Sequence, residues 1–194
     1  MFSTSLPLVL GSGSPRRSHL LHQIGLQFSV HPSTIDESTF SVEGVNPSDY
    51  VQSLAEAKAL DVAMQYPDAV IVLGADTVVV LDDKILGKPL DRNDAYTMLK
   101  SLSGRTHTVY TGIALVDSLT LKITKDVART EVTFRELYDK EITDYIATGS
   151  PMDKAGAYGI QDDFGAVFIS HIVGCYYNIV GLPLELFYRT LRNF

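Results

Sequence analysis

Gly11-Ser12-Gly13-Ser14-Pro15-Arg16-Arg17 lies between an apolar run, Leu8 to Leu10, and a helical pattern that begins near Ser18. Strand, small-residue loop and helix start in this order describe a phosphate cradle. Gly11 and Gly13 allow backbone conformations closed to other residues, and Ser12 and Ser14 add hydroxyls, so donors can turn toward an anion. Pro15 has no amide proton and a φ suited to a first helical turn, so the helix is expected to begin there with its positive end toward the loop. Arg16 and Arg17 add two cations. The competing reading is an ordinary strand-to-helix turn with solvated arginines. It is not a Walker A loop, because the Gly-Lys-Ser/Thr ending is missing.

Downstream, Leu20, Leu21 and Ile24 form a helical stripe that Gly25 stops, and Phe28 and Val30 alternate like a strand. Ser33-Thr34-Ile35-Asp36-Glu37-Ser38 is a polar connection with two neighbouring carboxylates, for which a solvated loop is the plain alternative. Asn46 and Pro47 predict a helix start, and the helix is expected to run to Gln65. Val51, Leu54, Ala55, Lys58 and Val62 share one face of it, which turns Lys58 inward. A buried lysine is costly unless it meets an anion; otherwise its amine must reach outward along its stem.

Val70-Ile71-Val72-Leu73-Gly74-Ala75-Asp76-Thr77-Val78-Val79-Val80-Leu81 reads as a strand with an acid in its middle. A carboxylate flanked by core-type residues needs a metal, a cation or a proton, which makes Asp76 a functional candidate. Asp82-Asp83 predicts a hairpin turn into Lys84-Ile85-Leu86, and Gly87-Lys88-Pro89 holds a lysine between a glycine and a proline. Asp91 can cap a helix with the stripe Ala95, Met98, Leu99 and Leu102, ending at Ser103-Gly104. Val109 to Val116 and Leu121 to Phe134 predict strands, His107 reads as structural or surface, and Ile142, Tyr145 and Ile146 mark a helix closed by Gly149.

Asp153-Lys154-Ala155-Gly156-Ala157-Tyr158-Gly159-Ile160-Gln161 sets small residues around charges, as a backbone approaching a ligand requires, though a plain loop fits too. Val167 to Ile172 and Tyr176 to Val180 read as strands, and Leu182 to Leu191 as a closing helix. The mixture lacks a strict βαβ rhythm, so a mixed α/β fold with α+β character is expected rather than a doubly wound one.

The 194 residues can bury one substantial core, as one domain or two closely joined lobes. A net charge of −7 argues against a general nucleic-acid or anionic-membrane binder, so any polyanion must be met by local cations. Without a basic leader or a bilayer-length apolar run, a cytoplasmic protein is expected. A single cysteine, Cys175, fits a reducing compartment and offers no zinc-ligand spacing.

The loop Ser12 to Arg17, the Gly74-Ala75-Asp76-Thr77-Val78-Val79 strand, Gly87-Lys88-Pro89, the Asp153 to Gln161 stretch and Val180-Gly181-Leu182-Pro183 occur in one order. Ser103-Gly104, His107 and Thr111-Gly112 accompany them. The set resembles the Maf family of nucleoside triphosphate pyrophosphatases, and it covers essentially the whole chain as one domain, 1–194. One departure is Gly11, where family members commonly carry alanine.

The resemblance implies a long-stranded central sheet with flanking helices and two lobes around a deep cleft, similar to inosine triphosphate pyrophosphatases. It implies hydrolysis of nucleoside triphosphates to a monophosphate and pyrophosphate, including clearance of non-standard nucleotides. Asp76 would accept the proton of the attacking water, with Lys88 and Glu37 as further catalytic residues. Ser12, Arg16, Arg17 and Lys58 would bind the phosphates, and Glu37 and Asp76 would hold a divalent metal, Mg²⁺ or alternatively Mn²⁺.

Arg16, Thr77 and Gln161 match the positions that influence substrate choice in the dTTP and UTP branch. A small nucleotide would be the partner, rather than nucleic acid or membrane, with a homodimer as a family expectation. Two alternatives stand beside this: a nucleotide-responsive regulator of cell division, and a pyrophosphatase for methylated GTP.

Overall fold

Side-chain caps and glycines set the ends of the elements in the computed structural model, which describes residues 4–42, 44–161 and 164–194. Strand β1 (Leu8–Leu10) leads into helix α1 (Pro15–Gln23), which begins at the expected proline and ends before Gly25, whose φ is 73°. Strand β2 (Ser29–Val30) follows, then helix α2 (Pro47–Ala63), where the Asn46 side chain accepts from the Ser48 amide at 2.9 Å. Strands β3 (Ile71–Leu81) and β4 (Lys84–Leu86) form a hairpin whose turn residues Asp82 and Asp83 have φ of 49° and 62°.

Helix α3 (Arg92–Leu102) is capped by Asp91, which accepts from the Asp94 amide at 2.8 Å. Strands β5 (Thr106–Asp117) and β6 (Ile123–Phe134), helix α4 (Asp139–Ala147), strand β7 (Ile169–Val173), and helices α5 (Tyr176–Val180) and α6 (Leu184–Arg192) complete the order.

The seven strands form one sheet in the order β2-β1-β3-β5-β6-β7, with β4 paired to β3. β1 runs parallel to both β2 and β3, with Val9 opposite Ser29 and Val72. β4 is antiparallel to β3, and β7 is antiparallel to β6. Parallel and antiparallel pairs in one helix-flanked sheet make this a mixed α/β fold.

The chain divides into two compact units, the first of Met1–Asp76, Thr111–Ala128 and Gly181–Phe194, the second of Thr77–Tyr110 and Arg129–Val180. In the first, Val9, Val72, Ala114 and Val116 of the sheet pack with Ala55, Ala59 and Val62 of α2. The helix lies flush on the strands: a Cβ at Gly74 would sit 2.1 Å from the Ala55 carbonyl oxygen, and one at Gly112 2.4 Å from that of Val51. In the second, Leu99, Phe134, Tyr145, Tyr158 and Phe168 form an aromatic-rich core. His107 is buried there, 2% exposed, so its place is structural and not at the surface.

Two strand expectations do not hold. Tyr176 to Val180 is helix α5, because tertiary hydrogen bonds override strand propensity. Asn178 Nδ2 donates to the Val109 carbonyl at 3.0 Å and to Thr130 Oγ1 at 2.9 Å, and the Cys175 amide donates to Thr130 Oγ1 at 3.0 Å. Val167 to Ile172 splits into a 3-10 segment, Phe164–Phe168, and β7. The Asp153 to Gln161 stretch contains the 3-10 turn Ala155–Ala157, and α2 ends at Ala63, short of Gln65.

Candidate functional site

The glycine-serine loop continues β1, and its first amide, on Gly11, still donates to Leu73 on β3 at 2.8 Å. Ser12 is buried, and its Oγ accepts from Arg17 Nη1 at 2.9 Å and from the Ser14 amide at 3.3 Å. Arg17 also donates through Nε to the Gly181 carbonyl at 2.8 Å, so it is a buried, bonded cation and not a solvated one. Burial lowers the basicity of its guanidinium, and the negative charge of Asp76 opposes that shift. Arg16 is half-buried in the first turn of α1.

Asp76 and Gly74 project from the same face of β3, the face against which α2 packs. With no side chain at Gly74 to hold the helix off, Lys58 reaches Asp76: its Nζ donates to Asp76 Oδ1 at 2.7 Å and pairs with Glu37 Oε1 at 2.7 Å. Lys58 is 8% exposed, so the inward placement holds, and a single ammonium joins two carboxylates. Glu37 opens the 3-10 turn Glu37–Thr39, which Asp36 caps by accepting from the Ser38 amide. Asp76 is 7% exposed, and burial raises its pKa despite the opposing charges of Lys58 and Arg17. A buried carboxylate whose proton affinity is raised by burial and which a fixed cation orients has the character of a general base toward water.

Tyr50, which sequence reasoning missed, belongs to the same neighbourhood. Burial raises its phenol pKa first, and the charges of Asp76 and Glu37 add to the shift. The signal was available in the i, i+4, i+8 line Tyr50, Leu54, Lys58 along α2.

Glu37 and Asp76 offer hard carboxylate oxygens, one exposed and one buried. Among the described residues no group of three or more His, Cys, Asp or Glu gathers as a metal cage. That donor set fits an ion such as Mg²⁺, which takes one or two carboxylates and completes its shell with water and substrate phosphates.

Lys88, Thr77 and Gln161 belong to the second unit, and each is described within it. Lys88 is exposed in the turn after β4. The carbonyl of its neighbour Gly87 accepts from the Gly156 amide at 3.0 Å, which ties the Lys88 turn to the stretch that ends in Gln161. Gly156 has φ of 68°, and a Cβ there would meet Val79 Cγ2 at 2.9 Å. Tyr158 donates or accepts at His107 Nε2 over 2.7 Å, and the Gly159 amide donates to the Tyr145 hydroxyl at 3.3 Å. Gln161 is half-buried, and Thr77 is half-buried on the opposite face of β3 from Asp76.

A family profile described as Maf-like protein matches residues 7–194. A protein of Acetivibrio thermocellus named dTTP/UTP pyrophosphatase is 50% identical over 193 residues, covering 96% of this chain and 94% of the relative. One of the same name from a Thermoanaerobacter species is 48% identical over 188 residues, covering 97% and 96%. Among solved structures, a nucleoside-triphosphatase / dITP/XTP pyrophosphatase from Mycobacterium abscessus aligns with a TM-score of 0.45 and 14% identity, covering 66% of this chain and 74% of that one.

Proposed function

The chain belongs to the Maf family, and from that premise we propose that it hydrolyses nucleoside triphosphates at the α–β phosphoanhydride, with dTTP and UTP preferred. The observation that carries the proposal is the buried Asp76 carboxylate, held on Lys58 and interacting electrostatically with Arg17 of the glycine-serine loop. Relatives that share up to half of their residues with this chain bear the name of that activity.

In this mechanism Asp76 accepts a proton from water as the water oxygen bonds to phosphorus, the bridging P–O bond breaks, and pyrophosphate and a monophosphate leave. Lys58 orients Asp76 and opposes the pull of burial on its proton affinity. Arg17 fixes the Ser12 hydroxyl in the loop, and Ser12, Arg16 and Lys58 meet the phosphate charge; Lys88 stays a catalytic candidate by family resemblance. Glu37 and Asp76 would hold a divalent cation, Mg²⁺ with Mn²⁺ as a substitute, which supplies neutralisation of phosphate charge when bound.

Arg16, Thr77 and Gln161 set the base preference; the Gln161 amide offers a donor and an acceptor to the carbonyl and imide edge of uracil or thymine. The enzyme works in the cytoplasm as a homodimer, on free nucleotides rather than nucleic acid or membrane. No helix of the described residues is long and apolar enough to cross a bilayer.

The test is a panel of normal and modified nucleoside triphosphates with Mg²⁺, scored for pyrophosphate against orthophosphate. Pyrophosphate release with the highest kcat/KM for dTTP and UTP is expected. Orthophosphate as the product, or no turnover, would overturn the activity, and preference for methylated GTP would overturn the branch.

A further inference from the structure

The chain between β2 and the Glu37–Thr39 turn is laced along α2 and the residues that follow it. His31 Nδ1 lies 3.2 Å from the Tyr66 hydroxyl, Ser33 and Thr34 meet Asp61, and Glu37 meets Lys58. As the connection advances, its partners step back along the helix.

The middle rung is the most heavily bonded. Asp61 Oδ2 accepts from Ser33 Oγ at 2.8 Å, from the Thr34 amide at 2.8 Å and from Thr34 Oγ1 at 3.3 Å. Ser33 Oγ in turn accepts from the Ile35 amide at 3.2 Å, and Asp36 closes the next turn through Ser38. Those bonds to Thr34 and Ser33 hold the Asp61 carboxyl below the usual carboxylate range, so it stays charged at neutral pH. Asp61 lies three residues past Lys58 on α2, on a neighbouring part of the same face.

Glu37 has a side chain 51% exposed, and ordering a long acidic side chain in that setting costs less conformational entropy when its backbone is already held. We propose that Asp61 is a positioning residue: by fixing Ser33 and Thr34 against α2 it presents Glu37 to Lys58. The role rests on Glu37 being a carboxylate of the proposed site.

The experiment combines amide hydrogen exchange with Mg²⁺ titration of pyrophosphate release, for Asp61→Ala, Asp61→Asn, Ser33→Ala and Glu37→Gln. In Asp61→Ala the Thr34 amide, and the Phe40 amide that donates to the Glu37 carbonyl, should exchange at least about tenfold faster. The half-activating Mg²⁺ concentration should rise several-fold, and much less when Glu37→Gln is already present, because the two changes act through one group. Asp61→Asn keeps an acceptor oxygen and should recover most of both readouts. Ser33→Ala leaves α2 untouched and should move them the same way by a smaller factor, which covers the case in which Asp61→Ala does not fold.

Unchanged exchange at Phe40, or a full Mg²⁺ shift in the Glu37→Gln background, would overturn the proposal. A wild type that releases no pyrophosphate would overturn the proposed function instead, while the exchange comparison would still decide whether Asp61 holds the turn that carries Glu37.

Discussion

Asp76 is pulled in two directions: burial raises its proton affinity, and Lys58, then Arg17, lower it. Because the native state holds this proton to higher pH than the unfolded chain, ionising Asp76 costs stability as pH rises through that window. An uncharged isostere is therefore tolerated, and Asp76→Asn should fold while losing at least about 10²-fold in kcat, the scale of a general base. The acidic limb of the wild-type kcat/KM profile should lie above the ordinary aspartate range. Lys58→Ala removes the largest opposing charge and should move that limb to still higher pH, besides lowering kcat/KM. A limb that stays in place would separate Lys58 from the ionisation of Asp76.

At the scale of elements, the pairing depends on how closely α2 lies on β3. Gly74 lets it do so, since a Cβ there would also sit 2.8 Å from the Ala59 amide nitrogen, and backbone cannot rotate aside as a side-chain tip can. Gly74→Ala should therefore lift the helix, with a stability loss of about 1–3 kcal/mol typical of overpacking. Denaturant midpoints measure the loss. The same displacement draws Lys58 away from Asp76, so kcat/KM should fall by more than the change in folded fraction explains; a purely stability-based loss would mean the helix can shift without disturbing the pair.

For the molecule as a whole, His107 links stability to pH. It is buried with Phe134 and Tyr158 at ring-centroid distances of 5.0 and 5.3 Å, and among the described residues Nδ1 has no hydrogen-bond partner. Burial pushes its pKa down to about 4. The unfolded chain, with an ordinary histidine, binds the proton first as pH falls from about 6.5, so the contribution of His107 to native stability declines through that range and levels off below about pH 4. The decline amounts to about 3 kcal/mol. His107→Phe should lower stability at pH 7 by about 1–3 kcal/mol, because the buried Tyr158 hydroxyl loses its partner. It should also flatten the pH dependence between 6.5 and 4, as read from denaturant midpoints of both proteins. Parallel curves would remove His107 as the titrating group.

The sequence by itself determined what short-range chemistry controls. The start of α1 at Pro15, the caps at Asn46 and Asp91, the turn at Asp82 and Asp83, and the strand character around Asp76 are all local. The inward face of α2 was legible too, because helical periodicity sets it, and with it the need of Lys58 for an anion. Which anions these would be was not legible: Asp76 and Glu37 come from distant segments, and only close packing at Gly74 and the return of the chain along α2 bring both to 2.7 Å of one ammonium. Tertiary structure likewise turned Tyr176–Val180 from an apparent strand into a helix, since Asn178 and Cys175 find partners on β5 and β6 that no local preference anticipates. Periodicity and capping act over one or two turns, whereas the desolvation that raises Asp76 and lowers His107 depends on every element packed around them.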